Sequence, residues 1–408
     1  MRKNIKTLLC VTAFVGAMSS GIAFADNLTI SSGSTETISQ EATYDNIINA
    51  GTLNNNASLT VETSLQNSSS INNSSSIVTT EITNQSGASI TGVSGSIEIS
   101  NGGTNDGSIT QNIVNVTAGT LTNSGTISAE TFNNSGQLTG TGKLIAAGGS
   151  NSTTIEQDTI EITGNYTNNG TMTANKEFTN ASSDITGNGS LIIKDSTGNS
   201  SNGGSISQAI VNISGNKFTN TGSITASQEF TNSAAIEGAG SISASQGGTN
   251  TGSITQNEVT TGGTFNNGDG TTAGTITTDK LTNNGTFNNN SGSSIISDEI
   301  INNDKFINNG SIGSSPDKGT IDNKGTFTNN GSIIASTITN ETGKEFINNS
   351  GNEITADSFT NQGSVTNNGT INAGSLNNSS SITGNTGSLT ISNGGTISGT
   401  ISQKIVSV

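Results

Sequence analysis

Two carboxylate pairs lie close enough in the sequence for general acid and base work: Asp298 with Glu299, and Glu156 with Asp158. Paired acids cleave glycosidic bonds when one holds a proton and its partner is ionised. The rest of the composition does not support that chemistry. There is no His and no Trp, and the one cysteine, Cys10, stands in the N-terminal segment, so a Ser, Thr or Cys nucleophile would lack its usual base. No indole can stack on a sugar ring, and the only phenols are Tyr44 and Tyr166. Both pairs therefore read as solvated surface carboxylates. The stretch GGTFNNGDG from Gly262 brings only Asp269 within reach of a calcium ion, and the nonapeptide pattern G-G-x-G-x-D is absent. Gly-Gly pairs at Gly102-Gly103, Gly148-Gly149, Gly203-Gly204, Gly247-Gly248 and Gly394-Gly395 lack the Lys-Ser or Lys-Thr and the helix of a phosphate loop, and read as turn signals. No catalytic, cofactor-binding or metal-ligating residue is expected.

The elements that would position any of these groups follow from the apolar residues. Phe132, Phe178, Phe218, Phe230, Phe265, Phe287, Phe306, Phe327, Phe346 and Phe359 each have Asn two positions later. The fuller motif is an apolar residue, one residue, Asn, one residue, usually Gly, one residue and a second apolar residue. Copies are LTNSGTI from Leu121, FTNTGSI from Phe218 and FTNNGSI from Phe327. Apolar anchors then recur every five or six residues, and sometimes at eight, as from Phe287 to Ile295. Helix is excluded by the missing 3.6-residue stripe and by abundant Gly, Thr, Ile and Asn. What remains is short strands wound into coils, each anchor inward and its neighbour outward. Asn and Gly are expected at the corners because both tolerate left-handed backbone. Stacked coils would place like on like, Ile over Ile and Asn over Asn. The fold class is all-β, a parallel β-helix or β-solenoid. With about 20 residues per coil the rod would be on the order of 90 Å long. The only proline, Pro316, falls in the loop-like run from Gly313 to Gly319. The Gly-Gly blocks form a second, longer period of two or more coils.

Residues 1–25 differ from the rest. Arg2, Lys3 and Lys6 precede an apolar run from Leu8 to Ala17, and Ala23-Phe24-Ala25 fits a cleavage site, so this segment reads as a secretory signal peptide. The run is too short for a spanning helix. Cleavage would remove Cys10 and make the net charge of −16 more negative. An exported chain would then have no disulfide to hold it, and repetition must supply the stability. With no basic patch, nucleic acid is not an expected partner. Residues 26–44 read as an N-terminal cap or first strands. Residues 45–408 read as the repetitive solenoid, ending in mid-repeat without a translocator barrel and leaving a last coil that could pair end to end with another copy. Ser and Thr are frequent enough to raise an ice-binding surface. The irregular five, six and eight spacings argue against the regular array that would need.

The pattern apolar-x-Asn-x-Gly-x-Ile-x-Ala, in LTNSGTISA from Leu121, FTNTGSITA from Phe218 and FTNNGSIIA from Phe327, resembles the haemagglutinin-type repeats of bacterial surface exoproteins and the passenger domains of autotransporters. It covers most of residues 45–408. The resemblance implies a right-handed β-helix displayed by a Gram-negative bacterium and serving adhesion. The chain departs from it in lacking the Asn-Pro-Asn motif of two-partner exoproteins. The function expected is a non-catalytic surface or secreted rod. Its partners would be glycans or proteins of host or neighbouring cells, held through many weak hydrogen bonds. A structural spacer or self-assembling matrix protein is the alternative, and a glycan-cleaving enzyme a third reading.

Overall fold

The computed structural model describes residues 24–408. The export segment expected at 1–25 lies outside them, save its last two residues. The described chain is an all-β parallel solenoid of about 21 turns without helix. Its 46 strands join in one continuous sheet. At about 4.8 Å per coil the rod is on the order of 100 Å long. No described helix is long and apolar enough to cross a membrane.

One coil shows how the sequence makes three walls. The strand Thr120–Asn123 buries Leu121 and Asn123 and turns Thr120 and Thr122 outward. The strand Thr126–Asn134 buries Ile127 and Ala129, then Phe132 and Asn134. Between them Glu130 and Thr131 both face away from the core, so the alternation slips by one residue and the strand bends round a corner. Each wall therefore puts two side chains inside, an apolar anchor and a smaller residue two positions on. The next coil repeats this in register: Leu121 pairs with Leu138, Ile127 with Leu144, and Phe132 with Gly149. Wall one carries the column through Leu121, wall two that through Ile127, and wall three that through Phe132.

The ten phenylalanines followed two positions later by Asn are all buried. On wall one Phe265, Phe287, Phe306, Phe327 and Phe346 form an unbroken stack with centroids 4.7–5.4 Å apart and planes within 22°. Phe359, on wall three, meets Phe346 edge-on at 5.8 Å. Elsewhere a small residue separates two large ones in a column. Gly149 lies between Phe132 and Tyr166, Gly248 between Phe230 and Phe265, and Ser200 next precedes Phe218. Volume thus averages along the rod, as a close-packed interior requires.

The asparagines do not turn corners by left-handed backbone: every described residue with positive φ is a glycine. The asparagines two positions after an apolar anchor point inward and bond to one another from coil to coil. On wall one Asn49, Asn67, Asn84, Asn105 and Asn123 form one ladder, each Nδ2 donating to the next Oδ1 at 2.7–2.8 Å. A second ladder on the same wall runs from Asn232 to Asn367 through Asn289, Asn308 and Asn329. The bonded residues are 17 to 22 positions apart, and the other Nδ2 proton reaches a backbone carbonyl, as from Asn308 to Ser332 at 3.1 Å. The Oδ1 often also accepts the backbone N–H two residues on, as Asn283 does from Gly285 at 3.1 Å. This bridge is the physical content of the Asn-x-Gly motif. Gly125 and Gly331 in that motif have ordinary φ, but a Cβ there would overlap the carbonyl oxygens of Gly107 and Gly310 in the coil before.

Ladders on all three walls end in the same way. After Asn73, Asn123, Asn168, Asn220 and Asn367 the next coil offers Gly at the ladder position, and the coil after that offers Gln. The Asn Nδ2 crosses the glycine coil to the Gln Oε1: Gln111, Gln157, Gln208, Gln256 and Gln403, all at 2.6–2.8 Å. Each Gln Nε2 then bonds the carbonyl just before it in sequence, as Gln157 does to Glu156 at 2.7 Å. The Gly-Gly pairs are the approach to these five glutamines, and their repeat is the longer period of the sequence. Four of them are not simple corner turns: Gly103, Gly149, Gly248 and Gly395 lie within walls, paired with Ile82, Phe132, Phe230 and Leu376, whereas Gly203-Gly204 does turn between the strands Ser200–Asn202 and Ser205–Gly215. At Gly103 φ is 123°, and an added Cβ would overlap the Ile82 carbonyl oxygen.

Residues 26–44 carry the first strands and begin the third, and Phe24–Ile30 pairs in parallel with Ala42–Asn49. At the other end Ile397, Ile405 and Val406 are about half exposed. Pro316 stands between strands that end at Ile312 and resume at Thr320.

Candidate functional site

Because inward positions hold the ladders, the chemistry available to a partner lies in the outward columns. The uneven spacings of the sequence are absorbed at corners and bulges, so these columns stay in register. On wall two the first six coils show the outward pairs Thr35 and Thr37, Thr52 and Asn54, Ser70 and Asn72, Ser89 and Thr91, Ser108 and Thr110, and Thr126 and Ser128. None is ionisable. Side chains along these columns bond one another: Asn72 donates to Asn54 at 2.8 Å and the Ser70 hydroxyl to Thr52 at 3.3 Å. The seventh coil ends the neutral stretch with Lys143, paired to Glu161 at 2.8 Å. The same device of amide on amide recurs outside wall three, where Asn133 donates to Asn115 at 3.0 Å.

The members of each carboxylate pair differ in what they touch. Glu156 and Asp158 flank the buried ladder residue Gln157 on the outside of the rod. Glu156 accepts from Asn175 Nδ2 at 3.1 Å, and Asp158 pairs with Lys176 at 2.6 Å. Glu299 faces Lys280 at 3.9 Å, while Asp298 is exposed at a corner and its backbone carbonyl accepts from the Thr320 hydroxyl at 3.2 Å. Exposed ion pairs of this kind add little stability. Asp269 is spent on its own turn: Oδ1 accepts from Thr271 N, Thr271 Oγ1 and Thr272 N at 2.7–2.8 Å, and the bond from the Thr272 N–H leads in lowering its pKa to about 2. Among the described residues no three His, Cys, Asp or Glu side chains come together as a metal site would need. Tyr166 lies in the core with its hydroxyl unpartnered, and burial pushes that phenol far up, so it cannot stack on a sugar. Burial, and then Glu36, also raise the half-buried Tyr44.

Sequence reasoning passed over Asp195, whose side chain is buried at the end of the strand Ser190–Asp195. Burial pushes its carboxyl up. The Lys217 N–H, the Ser200 hydroxyl, the Gly198 N–H and the Thr197 hydroxyl outweigh that and hold it below the usual carboxylate range. Its work is to order the loop 196–199, and only the D-S-T-G turn signature marks it in the sequence. The five ladder-ending glutamines were also missed. Their signal is the recurrence of Gln in SITQ, TIEQ, SISQ and TISQ.

No protein-family model, curated protein or solved structure matches the chain.

Proposed function

We propose that the chain is a non-catalytic, exported rod that holds glycans or cell-surface proteins through many weak hydrogen bonds. The observation behind this reading is the set of outward hydroxyl and amide columns, repeated coil upon coil on a stiff frame, which suits multivalent contact. The signal-like segment at 1–25 and the haemagglutinin-type or autotransporter-like pattern of the repeats support export and adhesion. Binding of the purified chain to a glycan array and to intact cells tests the proposal. Retention on a defined glycan or cell class, lost when the target is offered as a soluble monovalent competitor, is expected. Absence of retention on both would remove it.

The long Asn ladders and the five-ring Phe stack along the axis favour a second reading, a spacer whose purpose is stiffness. A rod that binds neither glycans nor cells, yet grows in length with concentration, would support that reading in its self-assembling form. Release of sugar fragments from polysaccharide would instead demand the glycan-cleaving alternative.

A further inference from the structure

We propose that a groove on wall two is a binding site for a neutral, extended glycan, one sugar unit to each coil. This rests on the reading above that the rod contacts glycans, and gives that contact a place and a ligand class. The groove encloses about 430 Å³ and crosses four successive coils near the N-terminal end. Two polar rails border it. Asn72 donates to Asn54 Oδ1 at 2.8 Å and Asn54 to Thr37 Oγ1 at 3.4 Å along one rail. Along the other, Ser74 donates to Asn56 Oδ1 at 2.9 Å.

The chemistry selects the ligand. No residue lining the groove is ionisable, so nothing there compensates a charged ligand. Asn54 and Asn72 each spend one N–H on a neighbour and keep the other, while Asn56 only accepts, so N–H groups and spare carbonyl lone pairs remain for sugar hydroxyls. Because the rails are already bonded, their side chains are ordered before the ligand arrives. Strands repeat about every 4.8 Å, close to the length of one pyranose unit in an extended β-1,4-linked chain. One ring can then face each coil, and because successive rings of such a chain are turned over, like edges meet like groups at every second coil.

One end of the groove is built by a ladder terminus. Gly92 is the glycine that Asn73 crosses to reach Gln111 at 2.6 Å, and there the register slips as the chain bulges out from Gly92 to Gly95. A Cβ at either glycine would overlap the Asn73 carbonyl oxygen. The bulge lifts Val93 to 91% exposure at the groove's edge, an apolar patch suited to the C–H face of a sugar ring.

The test is calorimetric titration of the full chain with cellohexaose, xylohexaose and chitohexaose, and with polygalacturonate and heparin as anionic comparisons. The variants are Asn54→Ala/Asn72→Ala in the groove and Thr339→Ala/Thr360→Ala on wall three, their folding checked by circular dichroism and melting. At least one neutral hexasaccharide is expected to bind. The groove variant should weaken it by roughly tenfold or more, for two lost hydrogen bonds, and the wall-three variant by less than about twofold. Val93→Ser should weaken it several-fold. Neutral binding untouched by the groove variant would overturn this site while leaving glycan contact standing. Binding of the anionic polymers alone would overturn the ligand class. If no glycan binds at all, the site falls, and the broader reading rests on the array and cell assay alone.

Discussion

Replacing one asparagine in the middle of a ladder should destabilise the rod far more than replacing one on its surface. Asn308 is fully buried; it accepts from Asn289 at 2.7 Å and donates to Asn329 at 2.8 Å and to the Ser332 carbonyl at 3.1 Å. Asn308→Ala removes three bonds, each with a net worth of about 1 kcal/mol. It leaves an Asn289 proton without an acceptor and opens a small cavity, so the cost should be roughly 3–4 kcal/mol. Asn330 also sits in an amide column, bonded to Asn309 and Asn349, but on the outside. Asn330→Ala should cost less than about 0.5 kcal/mol. Asn308→Asp adds a sharper test. At neutral pH the carboxylate would face two acceptors, Asn329 Oδ1 and the Ser332 carbonyl, and should destabilise more than Ala does. Protonation restores one donor, so part of that loss should be regained in acid. Urea midpoints of the three variants measure this, followed by far-UV circular dichroism. Equal midpoints for Asn308→Ala and Asn330→Ala would show that the buried ladder does not hold the coils together.

Gln157→Asn shortens the side chain that spans the Gly140 coil to reach Asn123; a cost of about 1–3 kcal/mol is expected in the same urea assay, against none for the exposed Gln228→Asn. Phe327→Ala removes the ring stacked between Phe306 and Phe346 and should cost about 3–5 kcal/mol, read as a lowered melting temperature. Asp195 has a depressed folded-state pKa, so its contribution is present above the ordinary carboxylate pKa and is lost as pH falls through the folded value. Stability of the parent chain should drop across that acid window, and Asp195→Asn should flatten the drop; an unchanged pH profile in the variant would refute the assignment.

The sequence displayed the fold because the inward positions repeat: Phe and the Asn two residues later share a face, which is why that pairing runs through the ten phenylalanines from Phe132 to Phe359. It hid the reason for the asparagine. Asn at a corner suggests left-handed backbone, whereas here its side chain spans the gap between coils, a contact 17 to 22 residues away that no local pattern shows. The Gly-Gly pairs were visible as a period but not as approaches to Gln111, Gln157, Gln208, Gln256 and Gln403, since each terminus needs Asn, Gly and Gln from three successive coils. The candidate groove was illegible for a similar reason. Its rails join Asn54 to Asn72 and Asn56 to Ser74, and its lip is the one bulge that carries an exposed Val.

Pulsed electron resonance between spin labels on wall three tests the winding itself. In a Cys10→Ser background, Thr260→Cys and Thr360→Cys place labels on outward positions joined through Thr282, Ile301, Asp322 and Thr339 by five successive strand pairings. Five parallel steps of about 4.8 Å put the two backbone positions roughly 24 Å apart, in one narrow distribution. A broad distribution, or a sharp one centred well beyond that separation, would contradict the stacked parallel coil.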